Sequence, residues 1–217
     1  MSGYNTRVST VQLGGHDYRI RSLSDRQQFA DPLGRAAKAG ISSANWSLFG
    51  QLWPSGRLLA EAMSEFDVAG KRVLELGCGL GLASLVLTRR GANVTASDHH
   101  PLAEVFLSHN AGLNDLSIPH FHDLQWAVAD EGLGCFDLII ASDVLYERDH
   151  AVLLTALCER HAQPKAEVVI TDPGRGNSGG FTRAMAALGF SMEETRTRFD
   201  AKDRPPFRGC LLHYRRG

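Results

Sequence analysis

The stretch Arg72-Val-Leu-Glu-Leu-Gly-Cys-Gly-Leu-Gly81 constrains this chain more than any other. A short apolar run meets glycines at alternate positions, and an apolar segment of helical length, Leu82 to Arg90, follows. That order predicts a buried strand, a tight turn and a helix. Glycine takes positive φ and, lacking Cβ, lets a ligand approach the main chain, while a helix start presents free N–H groups and a positive dipole end. Seventeen residues after Gly81, Asp98 closes a second β-rich run, Thr95-Ala-Ser-Asp, where a carboxylate can accept both hydroxyls of a ribose. A glycine triplet alone would serve equally well as a plain strand-to-helix turn. With the flanking strand, the helix and Asp98, the pattern points to a nucleoside cofactor.

From Lys71 onward, short β-rich runs alternate with stretches of helical period, the mark of a mostly parallel sheet covered by helices. The strand candidates are Arg72–Leu76, Asn93–Ser97, Ile118–His122, Phe136–Ser142 and Glu167–Thr171. One-sided stripes between them are Leu102, Val105, Phe106, His109 and Leu113, then Val152, Leu153, Ala156 and Leu157, then Phe181, Ala184, Met185 and Leu188. Two β-like runs, Phe190–Phe199 and Arg208–Arg215, predict a closing hairpin across the Asp200 to Phe207 link. Ahead of the glycine turn, Ser55 is placed to cap a helix running to Phe66. Residues 1–50 are less regular, with a hairpin over Arg7–Leu13, Gly14-Gly15 and Tyr18–Arg21. At 217 residues the expected organisation is one domain over 51–217 with an extension or lid over 1–50.

Spacing narrows the cofactor. A dinucleotide fingerprint requires glycine at position 82, which is leucine, and the phosphate-loop Gly-Lys-Ser/Thr is missing. The observed E-x-G-x-G-x-G, with Glu75 two residues ahead of Gly77, is the form that resembles S-adenosylmethionine sites. Four widely spaced cysteines without C-x-x-C disfavour both a disulfide framework and a zinc site. His99, His100, His109, His120 and His122 fall on different elements without metalloprotease spacing, so no metal is expected. The first fifteen residues lack a signal peptide's apolar core and no run is long enough to span a bilayer, which predicts a cytoplasmic protein.

Further motifs extend the pattern: Leu52-Trp53-Pro54-Ser55-Gly56 before the first core helix, Asp123-Leu-Gln-Trp126 after the third strand, and Ser142-Asp143-Val-Leu-Tyr146 after the fourth. With Glu75 to Gly81 they resemble the class I, seven-strand S-adenosylmethionine-dependent methyltransferases, and among these the family 16 protein N-lysine methyltransferases. Members of that family modify chaperones, elongation factors, calmodulin and the electron transfer flavoprotein β subunit. Asp172-Pro-Gly-Arg175 is similar to the flavoprotein branch. The implied fold is α/β: a Rossmann-like, seven-stranded, mostly parallel sheet with helices on both faces and a closing antiparallel hairpin.

The resemblance also implies roles. Asp143 and Tyr146 would stand at the mouth of the methyl channel as catalytic residues, orienting the amine and helping to take its proton. The bland alternative is a strand-end aspartate capping a loop, with a tyrosine packed beneath it. Glu75 would help hold the cofactor's ammonium, Gly77, Cys78 and Gly79 would line its methionine part with Cys78 acting through its main chain, and Gly81 would complete the floor. Asp98 would take the ribose and Ser142 would offer backbone near the adenosyl group, with His99 beside the adenine edge. Trp126 would pack on the adenine and Trp53 would cover the cofactor, although a tryptophan in a domain this size is more often core packing.

Lysine and arginine total 23 against 24 acidic residues, so no whole-molecule field favours nucleic acid. Between Asp123 and Asp149 seven acids face one base, an acidic acceptor side suited to a lysine or arginine. Arg196 to Arg216 carries seven bases and two acids, a local excess that a solvated hairpin face accounts for. The expected activity is methyl transfer to a protein amine, lysine first, by a monomer that binds neither membrane nor nucleic acid. The alternatives are a small-amine methyltransferase and a non-catalytic S-adenosylmethionine-binding partner protein.

Overall fold

The computed structural model describes residues 4–24, 30–199 and 207–217. In chain order its elements are β1 (Thr6–Leu13), β2 (His16–Leu23), α1 (Arg35–Lys38), a 3-10 turn at Trp46–Leu48, α2 (Pro54–Glu65), β3 (Arg72–Leu76) and α3 (Leu82–Arg89). There follow β4 (Asn93–Asp98), α4 (Ala103–Leu113), β5 (His120–Asp123), β6 (Phe136–Ser142), α5 (His150–His161), β7 (Ala162–Asp172), α6 (Ser178–Ala187), β8 (Ser191–Phe199) and β9 (Phe207–Arg216).

Strands β3 to β9 make one sheet in the order β5-β4-β3-β6-β7-β9-β8. The pairs from β5 through β7 are parallel, and β9 enters antiparallel between β7 and β8. The pleat sends alternate side chains to opposite faces. Val73, Leu138 and Ile140 therefore pack with Leu59, Met63, Leu85 and Phe106 of α2, α3 and α4. Leu74, Leu76 and Ile139 pack with Leu154, Leu157, Phe181 and Met185 of α5 and α6 on the other face. Burial on both faces explains why these strands are apolar throughout instead of alternating. The expected α/β sheet with its closing hairpin is the observed fold; the 200–206 link lies outside the described residues.

Several boundaries and faces differ from expectation. Trp53 is the N-cap of α2 with Pro54 at its first position, and Ser55 is buried inside the first turn. Proline suits that place because its missing N–H is one the helix could not have used. The third core strand starts at His120, not Ile118, which is 59% exposed and precedes Pro119. In α4 the buried face is Ala103, Phe106, Leu107, Asn110 and Ala111, while Val105 is exposed. In α5 it is His150, Leu154, Leu157, Cys158 and His161, and Val152 is exposed. Both stripes were misplaced for one reason: a buried polar residue with a hydrogen-bond partner behaves as core. His150 and His161 place Nδ1 against the carbonyls of Val144 (2.7 Å) and Gly134 (2.8 Å).

Asn110 and Asn114 do the same for the N-terminal hairpin. β1 and β2 form a separate two-stranded sheet whose Val11, Leu13, Tyr18 and Ile20 join the core beside α2, α3 and α4. Asn114 accepts from the Arg19 amide (2.8 Å) and donates to its carbonyl (2.8 Å). Asn110 accepts from the Arg21 amide (2.8 Å) and donates to the Arg21 carbonyl (3.3 Å) and to that of Leu80 in the glycine turn (3.0 Å). Two asparagines one helical turn apart thus satisfy one edge of β2.

The junction of β3 and α3 is stapled by Glu75. Helix α3 begins after Gly81, at φ 78° and with no side-chain cap; a β-carbon there would run into Leu107. The Ser84 amide, unpaired within the helix as all first-turn amides are, donates to Glu75 Oε2 (2.9 Å), and the Ser84 hydroxyl donates to the same oxygen. Burial pushes the Glu75 carboxyl up from 4.5 to about 7, with the Ser84 bonds opposing and the Asp98 charge adding. Between pH 4.5 and about 7 the folded protein therefore binds a proton that the unfolded chain has lost, and stability falls as pH rises through that window. Glu75→Gln keeps an acceptor for Ser84 but cannot ionise. Denaturant titrations should show it losing less stability than the parent across this range, by on the order of 3 kcal/mol; parallel curves would mean that Glu75 ionises normally in the fold.

Candidate active site

In a parallel sheet, ligands settle outside the carboxyl ends of the strands where the chain turns away in opposite directions. Here that place is the end of β3, between β4 and β6. A cavity of about 560 Å³ opens there, within the size range of small-molecule sites. Its wall is built from the turn after β3, the ends of β4 and β6, the segment after β5, and residues between Gly40 and Trp53.

At one side of the cavity stands the glycine turn. Gly77 and Gly79 have φ of 61° and 55°, values an L side chain resists. A β-carbon on Gly79 would meet no protein atom within 4 Å and would project into the cavity that Gly79 lines. Asp98 secures the turn: its Oδ2 accepts the Gly79 amide (2.8 Å) and its Oδ1 the His100 amide (2.8 Å). Burial raises its carboxyl above the ordinary range, and those amides pull the other way. Each oxygen keeps lone pairs for a ligand's hydroxyls. Glu75 also lines the cavity, and its Oε1 has no hydrogen-bond partner among the described residues. The Cys78 thiol is raised well above its ordinary value by burial and stays protonated, so this position contributes main chain and not a nucleophile.

The loop after β6 supplies the other group. Asp143 sits at φ 53°, a left-handed backbone that costs a non-glycine residue about 1–2 kcal/mol and that aspartate tolerates better than most. Its amide donates to Thr171 of β7 (2.8 Å). Its carboxylate accepts two bonds from Arg175, from Nε (2.6 Å) and Nη2 (2.7 Å). Tyr146 packs edge-on against His150, with ring centroids 4.4 Å apart. Burial, then the charges of Glu147, Asp98 and Asp143, push the Tyr146 phenol up to about 12, so it is neutral at physiological pH.

Trp53, Glu75, Gly77, Cys78, Gly79, Asp98, Trp126, Ser142, Asp143 and Tyr146, expected from the sequence, all line this cavity. Gly81 does not; it serves the approach of α3 to α4 described above. Neither tryptophan is buried core. Trp53 is 39% exposed and donates to the Leu48 carbonyl (2.8 Å), and half-buried Trp126 meets His150 edge-on at 5.1 Å. His99 also lines the cavity, bonded to Asp123 (2.9 Å) and the Ala39 carbonyl (3.1 Å). His122 pairs with Asp130 (2.6 Å).

Sequence reasoning missed four contributors. Arg175 was noted within a motif but given no task. His150 belongs to none of the motifs, yet its ring meets both Trp126 and Tyr146 edge-on. Phe49 stacks on His100 with centroids 3.8 Å apart and planes 5° from parallel, and burial lowers that imidazole to about 4, which leaves it neutral. Asn45 donates to Glu147 (3.2 Å), tying the extension to the loop that carries Asp143. Residues 40–51 hold no regular pattern, so only the tertiary contacts bring them here.

Comparison with known proteins agrees with this geometry. The profile described as lysine methyltransferase matches residues 41–180. The electron transfer flavoprotein beta subunit lysine methyltransferase of Danio rerio is 32% identical over 139 residues, which are 60% of this chain and 50% of that protein. Protein N-lysine methyltransferase METTL21A of Danio rerio is 38% identical over 108 residues, 44% of this chain and 46% of that one. The chain thus spans about half the length of the curated relatives it matches. Among solved structures, the 16S rRNA N2 G1207 methyltransferase RsmC of T. Thermophilus superposes with a TM-score of 0.64 at 17% identity, covering 98% of this chain and 51% of that chain. Ribosomal protein L11 methylase from Lactobacillus delbrueckii subsp. bulgaricus gives 0.59 at 20% identity, covering 75% and 79%. Those two share the fold. With the match over 41–180 taking in the glycine turn, Asp98, Trp126, Asp143 and Tyr146, the chain belongs to the lysine methyltransferase family.

Proposed function

We propose that this protein transfers a methyl group from S-adenosyl-L-methionine to a lysine amine of a protein acceptor. The observation that carries this reading is one cavity lined by both Asp98, held by the glycine turn, and Asp143 with Tyr146. The family and the names of its relatives support lysine as the acceptor.

The residues fit the cofactor. Asp98 suits a ribose diol, the open face of Gly79 leaves room for the methionine part, and the unpaired Oε1 of Glu75 suits its ammonium. Trp53 and Trp126 offer flat apolar surface, and Gly77, Cys78 and Ser142 offer main chain. When bound, S-adenosylmethionine supplies a methyl group on a cationic sulfonium, open to in-line attack by an amine. A lysine begins near pKa 10.4, and reaching the neutral amine at pH 7 costs on the order of 4–5 kcal/mol. Asp143 offers a negative charge to attract and orient the arriving ammonium, and desolvation in the cavity favours its neutral form. The neutral Tyr146 hydroxyl offers the amine a hydrogen-bond acceptor and is not itself the base.

None of the described helices is long and apolar enough to cross a membrane. We place the protein in the cytoplasm as a monomer. The acidic residues between Asp123 and Asp149 suit a basic protein surface and oppose a phosphate backbone.

Incubation with labelled S-adenosylmethionine and a cell extract should yield a labelled protein band that carries methyl-lysine by mass spectrometry. Label confined to small molecules, or no transfer despite cofactor binding, would overturn the reading. Asp98→Ala should weaken S-adenosylhomocysteine binding, measured by calorimetry, by about 1.5–3 kcal/mol for each charge-assisted bond lost; unchanged affinity would move the cofactor elsewhere. Asp143→Asn, chosen because asparagine also tolerates the left-handed backbone, should bind S-adenosylhomocysteine as the parent does and lose most turnover. Full activity in that variant would remove Asp143 from the acceptor site.

A further inference from the structure

The carboxylate assigned to the acceptor already holds a cation. Arg175 engages both oxygens of Asp143 in a fork at 2.6 and 2.7 Å, and no other side chain bonds that carboxylate among the described residues. The two partners differ in exposure: the Asp143 side chain is 14% exposed and that of Arg175 is 42%. Arg175 extends from the turn after β7, where Asp172 Oδ1 accepts the amides of Gly174 (2.9 Å) and Arg175 (3.4 Å). Gly174 and Gly176, on either side of it, have φ of 87° and 89°. The Asp143 backbone is held separately, through its amide to Thr171. The ion pair is therefore not what keeps the loop after β6 in place, and it stands in the wall of the cavity.

We propose that Arg175 determines acceptor specificity: its guanidinium is a resident cation that the acceptor's ammonium must displace from Asp143. This rests on the reading of Asp143 as the acceptor's counter-ion. A guanidinium makes two parallel bonds to a carboxylate, whereas an ammonium is a single compact charge. A free small amine brings only that charge and a short alkyl chain, so it competes poorly with the fork. A protein acceptor adds contacts outside the cavity that a small amine lacks. The displaced side chain, already half exposed, returns to water. Arginine does not deprotonate in proteins, so the barrier to small amines persists at every physiological pH.

Butylammonium, which reproduces the lysine side chain alone, is the probe. Its affinity is measured by calorimetry on the full chain saturated with S-adenosylhomocysteine. Arg175→Gln should bind it more tightly than the parent, by about threefold or more, and Arg175→Lys should tighten it by less. Damage to a site loosens binding, so tightening is not a result that damage produces. Equal or weaker butylammonium binding in Arg175→Gln would overturn the proposal. If that variant no longer binds S-adenosylhomocysteine, Arg175→Lys decides: tighter binding supports the proposal and equal or weaker binding overturns it. Adding Asp143→Asn to Arg175→Gln should abolish the gain. A double variant that keeps it would show that Asp143 is not the counter-ion, which refutes the underlying reading.

Discussion

One half-buried carboxylate, Asp98, joins the two turns on which the cavity depends. One oxygen takes an amide from the glycine turn after β3 and the other takes an amide from the turn after β4. Bonding amides to a charged oxygen offsets part of the cost of keeping that charge away from water. Glu75 repeats the device one layer deeper, where it bonds the first turn of α3 through Ser84. The Asp98 charge adds to the proton affinity of Glu75, and a cationic ligand would relieve it. The electrostatic demand of the fold and the charge of its proposed cofactor therefore match.

The proposed acceptor side follows a different logic. Asp143 adopts a left-handed backbone at the end of β6, and its carboxylate is balanced by a side chain from the neighbouring strand end. The segment ahead of α2 reaches the same loop through Asn45 and Glu147, and it reaches the turn after β4 through Phe49 stacked on His100. Asn110 bonds both β2 and the Leu80 carbonyl, so the hairpin is coupled to the glycine turn by one residue. Residues far apart in the chain, on the extension, on α4 and on three strand ends, thus act on one cavity.

Legibility in the sequence tracked how local each feature is. β3 and β6 were readable to the residue because strands buried on both faces leave continuous apolar runs between turn residues. The glycine turn and Asp98 were readable because the spacing of a strand-turn-helix unit is set within a few residues of chain. The buried faces of α4 and α5 were not, since Asn110, His150 and His161 are polar by composition and core by virtue of carbonyls outside their own helices. Gly81 looked like a floor of the pocket but answers to the packing of Leu107, a contact no local spacing reveals.

By itself, the sequence determined that strands and helices alternate, that a glycine turn follows Leu76, and that acids stand at 75, 98 and 143. Those features depend on backbone geometry and hydrophobic period, which neighbouring residues dictate. Only the tertiary structure decided which of them meet. It brought Arg175 onto Asp143, because parallel strands set their ends side by side at one edge of the sheet whatever the chain length between them, and it laid the segment ahead of α2 across that edge, with Phe49 on His100 and Asn45 on Glu147. The partners of a buried charge depend on that geometry and not on the sequence around it.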